Sequence, residues 1–199
     1  MSKKAIIVLA EGFEEIEAVT CIDILRRAGI DITVVGLSDI EVSPSTSLRI
    51  DGEQSRAIQG AHGISIIVDE NLGDIAPDYD AIIFPGGMPG AKNLADSKKV
   101  KTLIQKMYAE GKLIAAICAA PAVVLAPTGI LKDKSATCYP GMQENLGSDT
   151  SYKEDDVVVD ENIITSRGPA TAISFSLKIA EKLVGKEIAD NIKKKTLAI

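Results

Sequence analysis

The sequence predicts an α/β protein in which a mostly parallel central sheet is covered by helices on both faces. Three observations carry this. The strand-like runs are apolar without alternation, as strands buried on both sides must be. Stretches with helical spacing separate them. The alternation of strand and helix holds along nearly all of the 199 residues, which calls for right-handed crossovers between parallel neighbours.

The elements follow in order. Ala5 to Ala10 is a continuous β-rich run. Ile16, Val19, Ile22, Leu25 and Ala28 then recur at helical spacing, and Gly29 stops that helix. Ile32 to Leu37 reads as a second strand and Ala81 to Phe84 as another, ended abruptly by Pro85-Gly86-Gly87. Val100, Leu103, Ile104 and Met107 mark a helix closed by Gly111. Leu113 to Ile117 is a further buried strand, and Ala119 to Ala126 a short helix of small residues. Val157 to Val159 and Ile163 to Thr165 flank Asp160-Glu161-Asn162 as a hairpin, and Ala172 to Val184 is a long late helix. One stretch breaks the rhythm. Residues 39–63 are rich in Ser, Thr, Gln and Gly, and Asp51-Gly52 between Leu48–Ile50 and Ser55–Ile58 is a hairpin turn signal. We read 39–63 as an insertion or hairpin excursion within one domain spanning 1–199.

Composition narrows the function. Hydrophobic residues are 46 % and charged residues 25 %, which suits a globular core and excludes disorder. A net charge of −6 argues against a nucleic-acid partner. A single His excludes metal sites built on two imidazoles, so neither a metal nor a cofactor is expected. Three scattered Cys do not make a disulfide framework, no apolar run has membrane-spanning length, and the apolar run after Lys4 is too short for a signal segment. A reduced, cytoplasmic setting is expected.

In open parallel sheets, ligands bind beyond the carboxyl ends of the strands. That rule nominates the loops at 11–17, 85–90 and 118–121. Cys118 ends a buried strand and is followed by Ala119, Ala120 and Pro121. Small neighbours at a sharp strand-to-helix turn are what a nucleophile elbow requires, and a helix N-terminus favours a thiolate. Gly86 and Gly87 let backbone N–H groups approach a bound anion, with the Ala119 N–H completing an oxyanion hole. Glu14, Glu15 and Glu17 open the first helix. Glu17 falls at the boundary of the core-facing side, where burial beside a thiolate raises a carboxyl's proton affinity. A Cys–His pair lacks an obvious base, because the one His, His62, lies in the polar excursion. Tyr139 offers a hydroxyl instead, and Cys138 is a second thiol of unfixed distance.

These residues resemble the ThiJ/PfpI superfamily, most closely its parkinsonism-associated deglycase and glyoxalase branch. The matching segments are AEGFEEIE at 10–17, RRAG at 26–29, FPGG at 84–87, AAICAAP at 115–121 and TSRGP at 165–169. The resemblance implies a flavodoxin-like three-layer sandwich and a homodimer. It implies Cys118 as an oxidation-sensitive nucleophile with Glu17 as its carboxyl partner, and Gly86, Gly87 and Ala119 around an anion pocket. Arg27, Arg167, Gly168 and Pro169 fall in segments that lie near the pocket or dimer contact in such proteins. Implied activities are glutathione-independent conversion of methylglyoxal or glyoxal, removal of early glycation adducts, chaperoning and oxidative-stress sensing. Two departures stand out. Tyr139 occupies the position before Pro140 where many members carry His, and Ala119 stands where the protease-like branch has His. A small reactive aldehyde or glycated group is the expected partner, an oxidative-stress sensor or redox chaperone the alternative, and a Cys hydrolase the weakest reading.

Overall fold

A computed structural model of the chain describes residues 2–37, 47–50, 53–75 and 78–198. Its first half runs β1 (Lys4–Leu9), α1 (Glu15–Arg27), β2 (Asp31–Gly36), β3 (Ser47–Ile50), β4 (Glu53–Gln59), β5 (Ser65–Ile67), β6 (Glu70–Asn71) and β7 (Ala81–Phe84). Then come α2 (Gly90–Asp96), α3 (Lys98–Ala109), β8 (Leu113–Ile117), β9 (Ser135–Ala136), β10 (Ser151–Tyr152), β11 (Val157–Asp160), β12 (Ile163–Ser166), α4 (Ala172–Val184) and α5 (Lys186–Lys195).

The main sheet has the order β11-β12-β8-β7-β1-β2-β6. All its pairings are parallel except β11 with β12, where Asp160 faces Ile163 across the turn foreseen at 160–162. Helices α1, α4 and α5 pack together on one face, while α2, α3 and the turns after β8 pack on the other. Strand and helix therefore form three layers. Ile6, Ile7, Val8 and Leu9 of β1 and Ile82 and Ile83 of β7 are fully buried between them. Each such side chain contributes about 1.5–3 kcal/mol of transfer free energy, so an unalternating strand is the expected sequence for this position.

Among the described residues the polar excursion supplies β3 and β4 of a three-stranded antiparallel sheet, which β5, just beyond residue 63, completes. Leu48 faces Ser55 as a hairpin requires, and the Asp51-Gly52 turn itself lies outside the described residues, as do 38–46. The third strand, β5, is too short and too exposed to give a pattern. Its neighbour β6 adds only two residues to the main sheet edge.

Two sequence expectations need correction. The helical spacing placed Ile16 and Val19 on the core side of α1, yet they are 57 % and 48 % exposed. Ile22, Leu25 and Ala28 are buried as expected, and the rest of the buried side is Glu15, Glu17, Ala18, Cys21 and Ile24. Ala18 and Cys21 are small enough for α1 to lie close against α4, and the larger Ile16 and Val19 are turned outward. The helix expected over 119–126 is a single wide π-type turn at Pro121–Leu125, followed by a 3₁₀ turn at Ala126–Thr128. Pro121 begins the turn, where its missing N–H leaves no bond unmade, and Pro127 prevents a regular continuation.

Candidate active site

Three strand ends meet at one edge of the sheet. The order β2-β1-β7-β8-β12 reverses direction between β1 and β7, and loops leaving such a switch point form a crevice at the strands' carboxyl ends. The loop after β1 supplies residues 11–14 and the start of α1. The loop after β7 supplies Pro85 to Pro89, and Cys118 leaves β8.

Cys118 has φ 64°, the left-handed region that a side chain enters only under strain. Its N–H donates to the Ser166 carbonyl at 2.9 Å and its own carbonyl accepts from Tyr139 N–H at 2.8 Å. Those two bonds, one from β12 and one from the segment after β9, hold the backbone in place. The residue is 9 % exposed. Backbone N–H groups of Ala119 and Gly87 face the sulfur.

Gly86 explains why the turn after β7 is glycine. A Cβ there would lie 2.7 Å from Cys118 Cβ and 3.0 Å from its Sγ. Gly87 has φ 86°, and a Cβ on it would meet the Gly12 carbonyl at 2.6 Å. The Gly86 N–H is not free for a ligand: it donates to Glu17 Oε2 at 2.7 Å. Gly86 thus lines the thiol with its bare Cα, and the N–H groups aimed at the sulfur are those of Gly87 and Ala119.

Glu17 is fully buried, and its second oxygen, Oε1, has no conventional hydrogen-bond partner. The Cys118 sulfur is its other polar contact beside the Gly86 N–H, and the Glu17 charge also reaches the buried Cys21 thiol. Burial pushes this carboxyl up to about 7, against the Gly86 N–H and the Cys118 hydrogen bond, and the charge of Glu14 adds to the rise. Burial, the Glu17 charge and the Glu17 hydrogen bond push the Cys118 thiol up to about 12, opposed by the Ala119 and Gly87 N–H groups. The sequence led to the opposite expectation, a thiol lowered by the following helix. A five-residue turn has little dipole to offer, and desolvation beside a carboxylate outweighs it. Above the carboxyl's value the pair carries one proton and one negative charge between oxygen and sulfur.

The remaining candidates fall at different distances from this pair. Tyr139 is 48 % exposed at the mouth, and its ring lies against Gly168, where a Cβ would meet it at 3.4 Å. Pro169 opens the next turn. Arg167 donates to the Glu154 carbonyl at 3.0 Å, and its charge acts on Cys138 rather than on Cys118. Arg27 is not brought to this chain's Cys118: it pairs with Asp23 at 2.9 Å near the far end of α1, about 15 Å along the helix from Glu17. Cys138 and Cys21 are fully buried, and burial pushes their thiols up to about 11 and about 12 respectively.

Sequence reasoning missed a second cluster. Glu15, 4 % exposed, accepts from the His62 N–H at 2.6 Å and the Ile64 N–H at 3.3 Å. It also holds His62 Nδ1 at 2.8 Å, while Glu14 Oε2 lies 3.7 Å from the same nitrogen. No local spacing links positions 47 residues apart; the bridge between Phe13 and Gly60 and the backbone bonds beside it bring them together. Possible ligand atoms of Glu14, Glu15 and His62 lie within 4.8 Å of one another. The His62 Nδ1 to Glu15 spacing is that of a hydrogen bond.

A flavodoxin-like sheet with a strained cysteine at the end of a central strand and a buried carboxyl against it defines a class of α/β proteins with cysteine–carboxyl sites. The chain belongs to the DJ-1/PfpI family, whose model matches residues 3–182. It is 42 % identical over 196 residues to Protein dj-1beta of Drosophila melanogaster, covering 98 % of this chain and 96 % of that protein. The crystal structure of that protein matches with a TM-score of 0.87 over 100 % of both chains. The oxidized DJ-1 of Toxoplasma gondii, 37 % identical, matches with a TM-score of 0.87 over 98 % of each chain. Glutathione-independent glyoxalase DJR-1.2 of Caenorhabditis elegans is 34 % identical over 194 residues, covering 96 % of this chain and 95 % of that protein. No helix among the described residues is long and apolar enough to cross a membrane.

Proposed function

We propose that this protein converts small reactive aldehydes, of which methylglyoxal and glyoxal are the simplest, into hydroxy acids without glutathione. The observation that carries the reading is the buried Glu17 carboxyl set between the Gly86 N–H and the Cys118 sulfur. A carboxyl that exchanges its proton near pH 7 is suited to general acid–base work. The Cys118 sulfur adds to the aldehyde carbon, forming a C–S bond while the carbonyl oxygen takes a proton. Glu17 removes the proton from that carbon and returns one to the neighbouring carbon, leaving a thioester of the hydroxy acid. Water then adds, the C–S bond breaks, and the sulfur regains its starting state. The N–H groups of Gly87 and Ala119 stabilise oxygen anions formed along the way. Early glycation adducts present the same carbonyl chemistry. The similarity to a glutathione-independent glyoxalase supports the assignment.

The test is lactate formation from methylglyoxal in the absence of glutathione, with wild type, Cys118→Ala and Glu17→Gln. Both variants are expected to fall at least about a hundredfold, the usual scale for losing a general acid–base group. Equal rates in all three proteins would remove the reading.

A second reading, an oxidative-stress sensor or redox chaperone, is favoured by one observation. The most exposed of the three thiols is Cys118, and two N–H groups face its sulfur, ready to receive sulfinate oxygens. Intact mass after mild peroxide is then expected to show a two-oxygen adduct mapping to Cys118, and an adduct on Cys21 or Cys138 would count against it. A cytoplasmic setting suits either reading. The exposed Ile16 and Val19 on α1 suit burial in a homodimer, which light scattering after gel filtration would detect as twice the chain mass. The hydrolase reading has no support, since no imidazole adjoins Cys118 among the described residues.

A further inference from the structure

The Cys118–Glu17 pair has an acidic neighbour, and that neighbour has a cation. The Glu14 charge acts directly on Glu17. Glu14 is also pinned to the site, because its N–H donates to the Gly86 carbonyl at 3.0 Å, and Gly86 in turn donates to Glu17. On its other side, Glu14 Oε2 faces His62 Nδ1 at 3.7 Å, with Glu15 Oε2 at 2.8 Å from the same atom. The groups facing the imidazole are therefore Glu14 and Glu15 from the start of α1. At the base of its turn stands Glu11, which accepts from the Gln59 N–H at 3.2 Å. The turn itself, residues 59–64, carries no charge besides His62.

The turn is also locked to the loop after β1. Gly12 N–H donates to the Gln59 carbonyl and Ala61 N–H to the Phe13 carbonyl, each at 2.8 Å. A side chain at Gly60 would collide with the Glu15 carboxylate. His62 thus sits in a fixed place relative to Glu14, while its ring is 67 % exposed and follows the pH of bulk solvent.

We propose that His62 is a positioning residue for the Cys118–Glu17 pair: it supplies the positive charge opposing the acidic loop at 11–17 and so sets the pH at which the pair gives up the first of its two protons. This rests on the proposed role of that pair. When the imidazole is protonated it offsets Glu14, and Glu17 feels less negative charge. When it is neutral, Glu14, Glu15 and Glu17 stand unopposed and the pair holds that proton to higher pH. The hydrogen bond that the imidazole donates to Glu15, then the charges of Glu14 and Glu15, raise the imidazole above its ordinary value, so the protonated form persists toward neutral pH. The excursion then acts as the support for a charge that the site's own loops lack.

The experiment reads thiol chemistry rather than turnover. Alkylation of Cys118 by iodoacetamide, located by peptide mass, is followed from pH 5 to pH 10 in the full chain. His62→Gln is expected to move the profile up by about 0.5 unit, and His62→Lys, which restores a charge, to return it most of the way. Superimposable wild-type and His62→Gln profiles overturn the proposal, and so does an equal shift in both variants, which would mean packing rather than charge. Should His62→Gln fail to fold, the wild-type imidazole still answers. The chain has one His, so its ring proton resonance needs no assignment. Coupling is reciprocal, so Glu17→Gln is expected to lower the His62 titration midpoint, and an unchanged midpoint overturns the proposal. Failure to make lactate from methylglyoxal would remove the aldehyde reading and leave these measurements untouched.

Discussion

The Gly86 N–H donates to Glu17 Oε2 at 2.7 Å across a sequence separation of 69 residues. This bond joins the turn after β7 to the first helix, and it comes from a residue whose missing side chain also makes room for the Cys118 sulfur. One glycine therefore fixes both members of the Cys118–Glu17 pair.

Replacing Gly86 by Ala tests that double duty. The added methyl meets Cys118 Cβ at 2.7 Å and the Ala119 nitrogen at 3.0 Å, and neither is a flexible chain end. Overpacking of this kind costs about 1–3 kcal/mol. A lowered thermal midpoint is expected together with altered Cys118 alkylation, read by calorimetry and peptide mass. An unchanged midpoint would show that the turn yields.

Glu17 gives stability a pH dependence of defined sign. Its carboxyl titrates at about 7 when folded against an ordinary 4.5, so the native state keeps a proton that the unfolded chain gives up. The contribution is fully present below the unfolded value and is lost as pH rises through the folded one. Between pH 5 and pH 7.5 the wild type is expected to lose about 2 kcal/mol relative to Glu17→Gln. Urea midpoints of both proteins at the two pH values measure this, and parallel behaviour would contradict it.

Cys118 pays a conformational penalty that its side chain does not need. At φ 64° a glycine is unstrained, whereas any Cβ costs about 1 kcal/mol. Cys118→Gly is expected to be more stable than Cys118→Ala by about that amount in denaturant, although both lack the thiol. The reverse order would mean the backbone relaxes once the sulfur is gone.

Glu15 is held the other way. Burial raises it, but the His62 side chain and the N–H groups of His62 and Ile64 bring it below its ordinary 4.5. Its stabilisation is present above the unfolded value and disappears as pH falls through the folded one. Glu15→Ala leaves those N–H groups without their acceptor, costing about 2 kcal/mol. Faster hydrogen exchange at the His62 and Ile64 amides is expected, with the β1 amides unchanged.

The parallel, doubly covered character of the main sheet was legible because β1, β7 and β8 are apolar on both faces, and a parallel sheet is what buries such strands. Cys118 was legible for a local reason: small residues on either side of a thiol at a strand end. The proton affinity of that thiol was not, because burial and the charge of Glu17, 101 positions earlier in the chain, outweigh the turn that follows it. The face of α1 was misread because Ile16 and Val19 are as apolar as any core residue, and nothing in the local pattern separates core from uncovered surface. His62 read as a surface or pocket-rim residue without partners, since Glu14 and Glu15 reach it through the non-local pairing around Phe13 and Gly60. The short strands β5, β6, β9 and β10 carry too few residues for any period to register.

Parallel pairing of β1 with β7 and of β7 with β8 has a kinetic consequence for the thiol. Each pairing closes a long stretch of chain before any contact rewards it, which places such contacts late in folding. Glu17, Gly86 and Cys118 meet only once both closures are complete. Until then the cysteine is an ordinary solvent-exposed thiol, open to oxidation without the control its native neighbours exert. A pulse of alkylating agent during refolding would therefore clock the arrival of the native topology.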